Sequence, residues 1–265
     1  MAYQKGIIKA DDQSITKLYG ERTGQVSCQY LLPHITKTAN ILDVGCGPGT
    51  ITVDLAKLAS EGQTIGVDNS EGIIKQASTS FPPAEVPNLK FQVGDATDLK
   101  DFPDSSFDIV HAHALLVHIP DPVKVLKEFY RVCKPGGIIA LRENSPSVVL
   151  SLKPDLPGIR GYWDRALVMI PKMGGHPAAG VDLEKWAKEA GFEENRGELA
   201  VSTGKFWSPS HLDRVSGPAA DQAIQYGMAT KEELDTWAKA FEEWEATEGH
   251  EWVLEAGELL CWKGK

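Results

Sequence analysis

Residues 41–50 read Ile-Leu-Asp-Val-Gly-Cys-Gly-Pro-Gly-Thr: an apolar run meets an acid, Asp43, then glycines at Gly45, Gly47 and Gly49. Glycine has no Cβ and tolerates positive φ, so the chain can turn sharply and a ligand can lie against bare backbone. A helix-like run over 51–59 follows at once. The free amides at a helix start favour an anionic group. Together these are the parts of a nucleotide or carboxylate cradle at the carboxyl end of a first parallel strand. A dinucleotide fingerprint requires G-x-G-x-x-G. Here the spacing is G-x-G-x-G, with Thr50 where the third glycine would stand. That disfavours a nicotinamide cofactor.

A second acid, Asp68, closes the run Thr64-Ile-Gly-Val-Asp68, with Asn69 beside it, 19 residues past Gly49 (68 − 49). An acid that binds ribose hydroxyls falls at about this distance, and one carboxylate accepts from both hydroxyls. Helix capping is the other use of such an acid, but Ser70 serves it better. Further along stand His111, His113 and His118. On a strand, His111 and His113 share a face, as two metal ligands would. No third ligand is evident, so no metal is expected. An imidazole takes up a proton near neutral pH. His113 and His118 are therefore candidates for a general base, with plain packing as the alternative; His176 and His211 are weaker ones.

The elements that must carry these groups alternate regularly. Strand-like runs occupy 40–44, 64–68, 89–93, 107–113 and 137–142, with helix-like runs at 50–60, 70–80 and 121–133. Alternation of this kind implies right-handed βαβ crossovers and a parallel sheet. In the last of these helices Val123, Leu126, Tyr130 and Cys133 form one stripe, and Asp121 with Pro122 marks the start. Residues 1–38 form an N-terminal arm, helical in parts, from which Tyr19 and Arg22 could close over the strand ends. Five prolines and five glycines over 144–180, with Tyr162, Trp163, Met169 and Met173, suggest an irregular insertion acting as a substrate lid. A helix packed on the sheet edge is the alternative. A helix is expected over 181–190, a strand within 193–202, a helix behind the Thr230–Glu233 capping box, and a final strand in 251–263.

The Asp43-x-Gly45-x-Gly47-x-Gly49 pattern resembles motif I of the class I S-adenosylmethionine-dependent methyltransferases. Asp95 and Ala96 in Val93-Gly-Asp-Ala-Thr, the segment from Phe107 to Asp121, and Lys134-Pro135-Gly136-Gly137 resemble later motifs of the same family, in order, over about 100 residues. The match is similar in particular to UbiE/COQ5-type small-molecule enzymes; the C-terminal third resembles them only loosely. The resemblance implies a doubly wound, mainly parallel seven-stranded α/β sheet of Rossmann-like form, in a single domain spanning 1–265. It implies S-adenosyl-L-methionine as cofactor, released as S-adenosyl-L-homocysteine. Asp43 and the glycine-loop amides would hold the methionine moiety, Asp68 the ribose, Asp95 the adenine amino group and Ala96 the ring. Tyr19, Asn69 and His113 complete the expected cofactor site.

Bulk composition narrows the partners. A net charge of −10 and the lack of a basic stripe argue against nucleic acid. No apolar run approaches the ~20 residues of a membrane span, and no signal-like core opens the chain, so a cytoplasmic location is the expectation. The cysteines at 28, 46, 133 and 261 form no C-x-x-C. A small-molecule acceptor fits these features. A cofactor-binding cyclase or regulator that transfers no methyl group, or a protein methyltransferase, remains open at this stage.

Overall fold

The structure, a computed structural model, describes residues 22–192, 199–208 and 211–264. Tyr19 and the first part of the arm lie outside the described residues. Seven strands, β1 (Ile41–Val44), β2 (Thr64–Asp68), β3 (Leu89–Val93), β4 (Phe107–His113), β5 (Cys133–Lys153), β6 (Leu199–Trp207) and β7 (Glu251–Trp262), form one sheet. Their order is β3-β2-β1-β4-β5-β7-β6. All neighbours from β3 to β5 are parallel, and β7 runs antiparallel to both β5 and β6. This is the doubly wound, mainly parallel α/β architecture that the family resemblance implies, and its parallel part is the one the alternating runs indicate.

Strand alternation sends successive side chains to opposite faces. Ile41, Ile109, Ile138 and Ala140 pack on one face against Leu31 and Cys28 of the arm and Ile51 and Leu55 of α2 (Thr50–Leu58). Leu42, Val110, Ile139 and Leu141 pack on the other against α4 (Pro122–Val132) and α6 (Ala179–Ala190). Over its described residues, 22–38, the arm holds only α1 (Gly24–Ser27) and a 3-10 turn at Leu32–His34, less than the helix suggested over 25–35. Helix α3 (Glu71–Ser80) begins at Ser70, whose hydroxyl accepts from Ile73 N–H as anticipated. The buried stripe of α4 is Val125, Leu126, Phe129 and Val132, so the expected face was turned by about one residue. Val123 and Tyr130 sit on its flank.

The stretch 144–180 departs from the expected irregular insertion. Strand β5 continues to Lys153, paired with the first residues of β7. Pro146 is accommodated because the register shifts between Ser145 and Val149, and a proline without an N–H fits a bulge. Helix α5 (Pro157–Lys172) follows. It packs with α7 (Leu212–Val215), α8 (Gly217–Gln225) and α9 (Lys231–Ala246) around Trp163, Trp237, Phe241, Trp244 and Trp252. A second apolar core therefore stands beyond the carboxyl ends of the central strands. The Thr230–Glu233 capping box opens α9 as expected; a cap of this kind contributes ~1 kcal/mol.

Candidate active site

Three acids stand at the tips of three adjacent strands. Asp43 pairs in register with Gly66 of β2, and Asp68 with Val93 of β3, two residues before Asp95. The glycine loop is folded by its own amides. Gly45 and Cys46 N–H both donate to Val67 C=O, Gly49 N–H donates to Cys46 C=O, and Gly47 N–H donates to Asp68 Oδ2 at 3.2 Å. Those amides are thus engaged in shaping the loop, and the helix start is left as the anion-attracting feature. A Cβ on Gly47 would meet no atom within 4 Å, whereas one on Gly49 would come within 2.5 Å of Phe91 Cζ. Gly47 faces open space; Gly49 is a packing requirement.

Asp68 also accepts from Ser70 N–H at 3.0 Å. Burial pushes its carboxyl up, opposed by the amides of Ser70, Gly47 and Asn69. Asn69 is exposed at the strand tip. Asp95 is exposed too, and its Oδ1 accepts from both the amide and the hydroxyl of Thr97. Ala96 is buried beside it. Asp43 behaves differently. It is only 2% exposed, with Oδ2 accepting from Thr52 Oγ1 at 2.6 Å and Oδ1 facing His111 Nδ1 at 2.7 Å. Its two oxygens hold the loop-to-helix junction and a buried imidazole, so both are engaged within the protein. Cys28 Sγ lies 3.4 Å from the other ring nitrogen. Burial alone would lower His111, but Cys28 and Asp43 raise it to about 10.

Across the loop lies the tip of β4. His113 is buried, and its Nδ1 has no hydrogen-bond partner among the described residues. Burial, then Arg22, Arg142 and His111, push it well down, so the ring is neutral. His118 ends a 3-10 turn, Leu116–His118. His118 is exposed to solvent. Enclosure, then Arg214 and Arg22, push it down to about 4; the open side tempers the shift, and the direction leaves the ring neutral. Arg22 of the arm thus acts electrostatically on both candidate bases, and Arg214 of α7 on His118. Among the described residues no group of three His, Cys, Asp or Glu side chains is arranged to hold a metal.

Sequence reasoning passed over Glu143, Cys28 and Thr52. Glu143 is fully buried midway along β5, just past the last residue paired with β4, accepting from Leu115 and Leu116 N–H at 2.8 and 2.7 Å and from Val117 N–H at 3.2 Å. Burial raises its carboxyl to about 7, against the pull of those amides and Arg22. Its signal was an Arg142–Glu143 pair directly after the apolar run 138–141. Charged residues are rarely fully buried without partners.

Residues 35–164 match the family described as Methyltransferase domain. The chain is 32% identical to a protein named probable methyltransferase ltbC from Aspergillus luteorubrus, over 91% of this chain and 92% of that one. It is also 32% identical to a demethylmenaquinone methyltransferase of Listeria welshimeri, over 76% of this chain and 83% of that one. This chain belongs to the S-adenosylmethionine-dependent methyltransferases. The fold agrees with two solved structures. The YcgJ protein of Bacillus subtilis has a TM-score of 0.58 at 19% identity, covering 91% of this chain and 99% of that one. A Haemonchus contortus phosphoethanolamine N-methyltransferase, solved with S-adenosylhomocysteine, gives 0.59 at 17%, covering 96% and 57%. The residues of this methyltransferase fit its cofactor: bare backbone at Gly47, a carboxylate at the tip of β2 and an exposed one after β3 suit a ligand carrying a ribose and an adenine.

Proposed function

We propose that this methyltransferase acts on a small-molecule acceptor held between the tip of β4 and the helices of the C-terminal core. Asp68 takes the ribose hydroxyls, Asp95 the adenine amino group, and the amide of Ala96 contacts the ring. The start of α2 attracts the methionine carboxylate. Asp43 contributes from behind, by holding Thr52 and His111. The cofactor supplies an activated methyl group on a sulfonium, so the protein's part is to orient the acceptor in line and exclude water.

His118 is the acceptor-side base in this reading. It is neutral, reached by solvent, and stands three residues beyond Leu115, which packs against Gly45 of the cofactor loop. A hydroxyl or acidic carbon loses its proton as it is methylated, and a neutral imidazole within reach accepts it. His113, enclosed behind the strand tip, packs beside the cofactor. Helix α5 and the segment that joins it to α6 serve as the lid over the acceptor. The observation that carries this reading is the open space over Gly47 beside Asp68, one strand from Asp95. Radiolabelled S-adenosylmethionine tests the acceptor class when offered with demethylmenaquinone, the compound in the name of the Listeria relatives, supplied in reduced form. Label in the organic extract supports a small-molecule acceptor. Label only in protein supports a protein methyltransferase, and cofactor binding without transfer supports a regulator or cyclase.

A further inference from the structure

We propose that Glu143 is a positioning residue for methyl transfer: it fixes residues 114–118, setting Leu115 against the cofactor loop and His118 at the acceptor rim. The inference rests on the acceptor reading above only for the role of His118. Its geometry is independent of that role. One fully buried carboxylate takes the three successive amides of Leu115, Leu116 and Val117. Those amides open the 3-10 turn that ends in His118. Without Glu143 they would lack partners inside the protein, and an unpaired buried donor is costly.

The same segment is constrained at each end. Ala114 has φ of 52°, a left-handed conformation that costs a non-glycine residue about 1–2 kcal/mol. Its N–H donates to Arg142 C=O at 2.8 Å, so β5 holds this residue too. At the far end, Val117 C=O accepts from His176 N–H at 2.9 Å. A Cβ on Gly175 would lie 2.7 Å from that carbonyl, so the connection leaving α5 presses on the turn as bare backbone. Leu115, in turn, lies so close to the cofactor loop that a Cβ on Gly45 would come within 2.9 Å of its Cδ1. Strain of this kind persists where surrounding structure over-determines it, and it clusters at functional sites. Glu143 is the side chain that connects the cofactor loop, the histidine and the α5 connection through one turn.

Glu143→Gln and Glu143→Ala separate positioning from folding. Glutamine keeps one carbonyl oxygen for Leu115 and Leu116 but turns an NH2 toward the Val117 amide; alanine removes every acceptor. The measurements are hydrogen exchange of the peptide covering 114–118, the His118 ring resonance, calorimetry with S-adenosylhomocysteine, and transfer from labelled S-adenosylmethionine to reduced demethylmenaquinone. In Glu143→Gln, exchange at 114–118 should rise about tenfold or more while the rest of the sheet is unchanged. The His118 resonance should move, and S-adenosylhomocysteine affinity should stay within about twofold. The rate of transfer should fall at least about tenfold at nearly constant KM for the cofactor, with alanine worse than glutamine. Unchanged exchange at 114–118 in both variants would overturn the proposal. So would loss of cofactor affinity in step with turnover, with exchange rising across the whole sheet. If the wild type transfers no label to this acceptor, the acceptor reading fails, while exchange and the His118 resonance still decide the role of Glu143.

Discussion

His111 Nδ1 lies 2.7 Å from Asp43 Oδ1, with both side chains closed off from solvent. The pair bridges β1 and β4 directly beneath the cofactor loop, since Asp43 and His111 are register partners. Removing one member of a buried pair leaves the other charged and uncompensated. His111→Asn should therefore cost about 3–5 kcal/mol of stability, read from the urea midpoint. A loss below about 1 kcal/mol would show that Thr52 alone satisfies Asp43.

Cys28 together with Asp43 also sets a pH dependence through His111. The folded-state value of His111, about 10, stands above the ordinary histidine value of 6.5. A raised value means the folded state holds the proton more tightly, so the added stability is complete below pH 6.5 and lost as pH rises toward 10. The gap in melting temperature between the wild type and His111→Asn should narrow steadily between those limits. A constant gap would assign the pair a hydrogen-bonding role without a charge.

Two glycines in one loop should respond oppositely. Gly47→Ala places a methyl group in open space, at φ of 53°. The fold should lose only about 1 kcal/mol, while affinity for S-adenosylhomocysteine drops. Gly49→Ala drives a Cβ to 2.5 Å from Phe91 Cζ, at φ of 85°. Overpacking of that sort costs about 1–3 kcal/mol beyond the backbone strain. Thermal melts and calorimetry on the two variants should rank them in opposite orders.

Asp68→Ala removes the carboxylate assigned to the ribose, together with the bonds to Gly47 and Ser70 N–H. Calorimetry with S-adenosylhomocysteine should show a loss of about 1.5–3 kcal/mol, the range for a charged hydrogen bond. Equal affinity in the two proteins would take Asp68 out of the site. Asp95→Ala should lose less, because its exposed carboxylate works against competing water.

The strand tips were legible because local rules act on them alone. Glycine spacing and acids closing apolar runs point to Asp43 and Asp68, and the family resemblance adds Asp95. The carboxylate of Asp43 was misread for a physical reason: sequence puts an acid at a strand end but cannot say that Thr52 and His111 take both its oxygens. Glu143 was overlooked because the charged pair at 142–143 shows that a carboxylate follows the apolar run but not that its partners are the backbone amides of another strand's exit. The stretch 144–153 looked irregular because Pro146 is a strong breaker, yet pairing with β7, about 100 residues away in sequence, overrides it.

The helices beside that long pairing enclose a polar centre of their own. Tyr162 OH lies 2.7 Å from His211 Nδ1, and His211 Nε2 lies 3.1 Å from Ser208 Oγ. Phe241 stacks on the imidazole, and Trp163 meets Trp252 edge-on at 4.5 Å. Burial, then Arg214, push His211 well down, so a neutral ring needs a partner at each nitrogen. Tyr162→Phe removes one and leaves a buried nitrogen unpaired, at about 1–3 kcal/mol. Because Tyr162 packs with the core of α5, α7, α8 and α9 and the residues assigned to the cofactor stand at the tips of β1 to β3, hydrogen exchange should rise in α5, α7 and α9 and stay constant in β1 to β3. S-adenosylhomocysteine affinity should be unchanged. Faster exchange spreading into β1 and β2, with weaker cofactor binding, would show that the two cores unfold as one unit.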